Sequence, residues 1–168
     1  MKFEGLIHTL PPYVKGFIAA FVIVLSIGYI TGLSFVRQTG STAPDGIEEN
    51  YLGNEEVEDA AVMKFKKGER EMLTIVHTHI LSMSFIFFFL GGLVAITSLP
   101  RKLKSFLMIE PFISILLTFG GIWLMWEGVT WMKYVVMVSG TLMTLVFVFS
   151  ALVILQQSLF FRKSRRNS

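Results

Sequence analysis

The sequence predicts an all-α integral membrane protein, a four-helix antiparallel bundle with N- and C-termini on the cytoplasmic side. Three observations lead there. The 168 residues are 53% hydrophobic and only 16% charged, with a mean hydropathy of +0.64; an ordinary soluble domain carries about 25% charged residues. The charges crowd into short segments and leave four apolar runs, at 17–36, 72–99, 106–126 and 134–156. Each run meets the roughly 20 residues a helix needs to cross about 30 Å of hydrocarbon. None of the runs alternates with a period of two, which argues against a β-barrel, and open strands would leave backbone groups unpaired in lipid. The chain, 1–168, reads as a single membrane domain.

The run at 17–36 is uncharged and about twice as long as the core of a minimal signal peptide. Pro44 follows the small-residue stretch Ser41-Thr42-Ala43 and suits cleavage poorly, so this run is expected to stay as an anchor. The segment 37–71 is the only sizeable extramembrane part. Turn residues fill 39–46, and 47–52 suits one or two helical turns, with Asp45 as cap, Ile47 and Tyr51 on one face, and Gly53-Asn54 as the stop. The acids Glu55, Glu56, Glu58 and Asp59 precede the basic Lys64, Lys66 and Lys67. They lack the alternation of an EF-hand loop, and a solvated, charge-compensated loop is expected in place of a calcium site. Glu69 and Glu71 suit the positive end of the next helix dipole.

As one helix, 72–99 is about 42 Å long, so its first turns are expected in the outer headgroup layer. Two residues apart, the imidazoles of His77 and His79 point about 200° from each other. His77 begins a heptad-spaced series with Ser84, Gly91 and Ser98, flanked by Gly92; such small residues let helices approach, so His77 is expected to face the bundle. His79 shares the other side with Met72 and Met83, toward headgroups, a partner subunit or a site between helices. In the third run Glu110-Pro111 suits a first helical turn, with Glu110 as an anchor near Arg101, Lys102 or Lys104. Glu127 leaves that run amid Trp123, Trp126 and Trp131, an aromatic belt, and is placed to orient His77 or His79. Gly28 and Gly32, Gly121 and Gly140 are expected to pack inside one bundle, in preference to forming a dimer seam.

Orientation follows from Lys and Arg. With the N-terminus inside, nine of the fifteen cations and two acids lie on the cytoplasmic side, and six cations with ten acids lie outside. The segment 37–71 is then periplasmic, the membrane is the cell inner membrane, and the basic cluster at 162–166 faces anionic lipid. That position makes nucleic acid a poor partner.

The absence of cysteine removes disulfides, thiolate nucleophiles, iron–sulfur ligation and covalent haem. No H-E-x-x-H, G-x-S-x-G or P-loop pattern occurs, and no nucleophile–base set is visible, so hydrolysis and phosphoryl transfer are not expected. Imidazole and thioether do gather at the outer end: His77 and His79 with Met72, Met83 and four further methionines. Those ligands suit copper or haem b, with Glu127 as a supporting group. His8 lies a membrane away, so bis-His ligation would need a homodimer or a partner; His–Met is the intrachain option. Against this stand hydrogen-bonded interfacial histidines with gap-filling methionines, and a proton-handling role that lacks a chain of buried acids.

The stretch Gly46-Ile47-Glu48-Glu49-Asn50-Tyr51-Leu52-Gly53-Asn54-Glu55, the Glu71-Met72-Leu73 and Glu110-Pro111-Phe112 triplets, and Gly120-Gly121-Ile122-Trp123 carry a resemblance. So does Val76-His77-Thr78-His79-Ile80-Leu81-Ser82-Met83. The chain resembles a group of uncharacterised small bacterial four-span inner-membrane proteins with an outer-face His-x-His-x-x-x-Met at the start of the second span. The resemblance implies the bundle and its topology, and no activity. A shorter similarity, to four-span families with an outer His-x-His, points toward respiratory or metal-handling membranes. Two functions stay open: a non-catalytic accessory or assembly subunit of a membrane complex, and a haem- or copper-binding redox module.

Overall fold

The computed structural model describes residues 5–55 and 62–160. Glu56, Glu58 and Asp59 of the acidic run, Lys2, Glu4 and the basic cluster at 162–166 lie outside the described residues. The chain forms α1 (Leu6–Thr9), α2 (Pro12–Gln38), α3 (Pro44–Leu52), α4 (Glu69–Ala95), α5 (Arg101–Trp126) and α6 (Met132–Leu159). Four of these, α2, α4, α5 and α6, are long and apolar enough to cross a bilayer. They run antiparallel and pack as one bundle, with no strand among the described residues. The end that carries α3 is called the loop end below, and the other the terminal end.

The helices are not equivalent. α5 and α6 form the tightest pair, α4 packs on α5, and α2 leans chiefly on α6. Phe147 of α6, 2% exposed, is the joint: Tyr29 of α2 stacks on it at 3.9 Å and Phe87 of α4 meets it edge-on at 6.1 Å. The Tyr29 hydroxyl also lies 3.2 Å from Thr144 Oγ1. Toward the loop end α2 leaves the bundle, and every residue from Ile30 to Gln38 is exposed.

Helix ends differ from the sequence expectation where tertiary partners take over. α4 stops at Ala95, short of 99, because Pro100 holds an extended φ/ψ of −59°/143° and disfavours helix in the residue before it. The carbonyls this leaves open are taken up from elsewhere: Lys104 Nζ donates to Ala95 O (3.0 Å), Ile7 N to Ile96 O (3.1 Å) and Gly5 N to Thr97 O (3.0 Å). Ile7 in α1 is fully buried as part of this seal. α5 begins at Arg101, not near 106, so Glu110 and Pro111 sit about two and a half turns inside it. Both are buried, and Glu110 is therefore not a first-turn anchor. Pro111 has no N–H to return to Leu107 O, a defect that membrane helices tolerate where neighbours cover it.

Candidate functional site

The loop end is closed by a fitted cap. α3 forms at 44–52 with Pro44 in its first turn and Gly53 after its last residue, φ +85°, ψ 177°. That conformation is open essentially only to glycine. Ala43, not Asp45, occupies the N-cap position. Asp45 instead receives Lys133 Nζ at 2.8 Å while Glu48 receives it at 2.6 Å, which ties α3 to the start of α6. Ile47 is 5% exposed in the core, and burial pushes the Tyr51 phenol above its ordinary range, against the Asn50 hydrogen bond, so it stays neutral. The strand-like return at 62–67 is pinned by Asn54 N to Lys64 O (3.0 Å), Lys67 N to Tyr51 O (3.1 Å) and Trp126 Nε1 to Lys67 O (2.8 Å). Lys66 Nζ stands 5.0 Å over the Trp126 ring. Replacing Lys133 by methionine is expected to lessen the salt dependence of the cap, leaving that of the Lys64–Glu49 and Lys67–Glu71 pairs. Thermal unfolding of the parent in detergent should shift down as salt screens these ion pairs, and that of the variant should shift less.

The inward face of α4 differs from the expected one, and both histidines are exposed. Met72, Phe87, Leu90, Gly91 and Val94 are buried, Met83 packs against the core, and His79 stacks on Phe119 of α5 at 4.9 Å. His77 is exposed, as is Ser98, and Ser84 is half-buried. Gly91 of that stripe does meet a neighbour closely, its Cβ position lying 3.6 Å from Met108 Cγ. Large side chains that interdigitate, rather than the small-residue stripe, decided which side faces in.

His79 Nδ1 lies 2.7 Å from Ile75 O. A carbonyl only accepts, so Nδ1 donates this bond. Among the described residues no metal-binding group of three or more His, Asp or Glu forms around His79. Met72, Met125 and Met132 are core residues, Glu127 is exposed at the end of α5, and no hydrogen bond or ion pair joins it to His77 or His79 among the described residues. His8 lies beside Ser98 at the terminal end, 3.4 Å between Nε2 and Oγ, far from His77 along α4. The geometry lends the haem or copper reading no support.

The small residues divide in two groups. A Cβ on Gly121 would stand 3.0 Å from Val136 Cγ2, and one on Gly140 3.9 Å from Thr118 Cγ2, at the α5–α6 contact. On Gly28, Gly32 or Gly92 it would meet nothing within 4 Å. The Gly28–Gly32 face of α2 thus turns away from the chain's own helices, contrary to the packing expected for it.

A second polar set lies in the α5–α6 seam. Glu110, Ser114 and Thr118 follow at four-residue spacing on α5 and are all buried. Ser114 Oγ hydrogen-bonds Glu110 Oε1, and Thr118 Oγ1 lies 2.7 Å from Ser139 Oγ of α6. Glu110 Oε2 and Ser150 Oγ, both buried, have no hydrogen-bond partner among the described residues. The spacing was visible in the sequence; that this side of α5 meets α6 was not.

Four membrane-length helices packed with apolar faces outward make this an integral, multi-pass membrane protein in contact with the lipid bilayer. A family model described as a transmembrane helical domain matches residues 41–166, and the chain belongs to that family. The matched part takes in α3 to α6. No curated protein and no solved structure matches the chain.

Proposed function

We propose that this chain is a non-catalytic accessory or assembly subunit of an inner-membrane complex, joined to a transmembrane helix of its partner through the loop-end half of α2. One observation carries this: the Gly28-x-x-x-Gly32 notch meets nothing of its own chain. A mid-helix glycine costs about 1 kcal/mol relative to alanine, and no contact inside the chain offsets that cost at either position. A bare notch of small residues admits a second helix at close range. The excess of Lys and Arg on the terminal side supports cytoplasmic termini and a periplasmic 37–71 segment.

Purification in mild detergent tests this. A stoichiometric partner protein is expected to co-purify with the parent and to be lost from the double variant Gly28→Leu, Gly32→Leu. The variant's own unfolding temperature should not fall, because a Cβ at either position meets nothing within 4 Å and leucine favours helix over glycine. A clean monomer without a partner, or a homodimer held through this notch, would overturn the reading. A cytoplasm-specific reporter fused after Ser168 should be active; activity only for a periplasm-specific reporter would invert the topology.

A further inference from the structure

We propose that the α5–α6 seam is a binding site for a membrane-dissolved amphiphile, a long apolar tail carrying a head that donates a hydrogen bond to Glu110. The two helices leave a groove of about 670 Å³ along their outer side, within the range of small-molecule sites. Its walls are apolar and open toward lipid: Ile109, Ile113, Leu117, Val138 and Leu142 line it and are all well exposed. Its buried polar groups are Glu110, Ser114 and Ser139, 7%, 2% and 4% exposed.

Two of the three are already committed. Ser139 Oγ is bonded to Val135 O and Thr118 Oγ1, both at 2.7 Å, and Ser114 Oγ to Glu110 Oε1. Glu110 alone keeps an unused oxygen, Oε2. A carboxyl offers acceptor lone pairs in either protonation state, and a buried acceptor without a donor is unfavourable. No cation of the chain answers it: among the described residues Glu110 has no ion pair, and Lys104, six positions earlier, donates to Ala95 O. Oε2 is shielded in the unliganded chain, and a change of Glu110 side-chain rotamer is what would bring it to a head group in the groove. Among the described residues no donor, not even Ser105 or Tyr134 of the groove wall, pairs with Oε2, and the groove opens to the bilayer as a source of one.

The tail has room. The Thr118–Ser139 hydrogen bond sets the register of the two helices. From the level of Glu110 up to Trp131 at the far end of the groove is then roughly 24 Å at 1.5 Å per residue. Head at Glu110 and tail toward Trp131 is the arrangement that uses both the orphan acceptor and the apolar length.

The full chain in nanodiscs of defined phospholipid, photolabelled with a diazirine derivative of hexadecanol, tests the site. Saturable label is expected on peptides covering 105–117 and 131–142. Unlabelled hexadecanol and hexadecylamine, whose heads donate, should suppress it at least tenfold more effectively than hexadecyl methyl ether, which has the same tail and no donor. Glu110→Leu should lower saturable labelling at least tenfold, and Leu142→Trp, which fills the groove and leaves Glu110 in place, should do the same. Equal competition by the ether, undiminished label in both variants, or label spread evenly over all four spans would overturn the proposal.

Discussion

Replacing Gly46 by alanine is expected to lift α3 off the loop end. The added Cβ would stand 2.0 Å from Gly40 O and 3.0 Å from Gly40 C. Both are backbone atoms, so no side-chain rotation relieves the clash. Gly40 itself holds a positive φ of +74°, which limits how far that turn can retreat. α3 must move instead, taking Ile47 from the core and Asp45 and Glu48 from Lys133. Overpacking costs about 1–3 kcal/mol, and a fixed backbone obstacle places this substitution at the upper end. Because the chain has no cysteine, the movement can be read directly. In an Ile47→Cys background the thiol should react slowly with maleimide, and adding Gly46→Ala should speed the reaction at least tenfold. Gly68→Ala, where a Cβ meets nothing within 4 Å, is the control and should leave the rate unchanged.

Truncating Phe147 to alanine is expected to give the largest loss of stability among the helix–helix contacts, about 3 kcal/mol. The ring joins three helices, stacked on Tyr29 and edge-on to Phe87. Aromatic pairs of this kind contribute about 0.5–1.5 kcal/mol beyond their area. α2 depends most on the contact, since it leans chiefly on α6. An SDS titration of the purified protein should show an earlier transition in Phe147→Ala. Proteolysis should cut the α2–α3 turn sooner, and Phe147→Leu should recover part of the loss. Unchanged cleavage of that turn in Phe147→Ala would mean that α2 is held elsewhere.

Some of this architecture was legible in the residues. The short helix in the 37–71 segment, with Ile47 and Tyr51 on one face and Gly53 as its end, follows from the turn residues before it and a glycine stop. Other features needed the fold. Gly46 looked like one more turn residue, and only the fold places it inside α3 against Gly40 O. The Glu110-Pro111 pair resembled a helix start because proline favours that position; only Pro100 and the carbonyls it exposes show that α5 begins earlier. His77, expected to face the bundle, is exposed, and so is His79; Met72, Phe87 and Leu90, rather than a stripe of small residues, are the buried residues of α4.

What the amino-acid order determined alone was the set of spans. A helix in hydrocarbon must satisfy its own backbone and be apolar for the bilayer's thickness, and both conditions are local. Which sides of those helices meet was decided only in the folded bundle. Lipid and neighbouring side chains are equally apolar, so no polar face marks the outside. The contacts are settled by shape, by the few hydrogen bonds such as Thr118–Ser139 and Tyr29–Thr144, and by where a glycine lets two backbones approach.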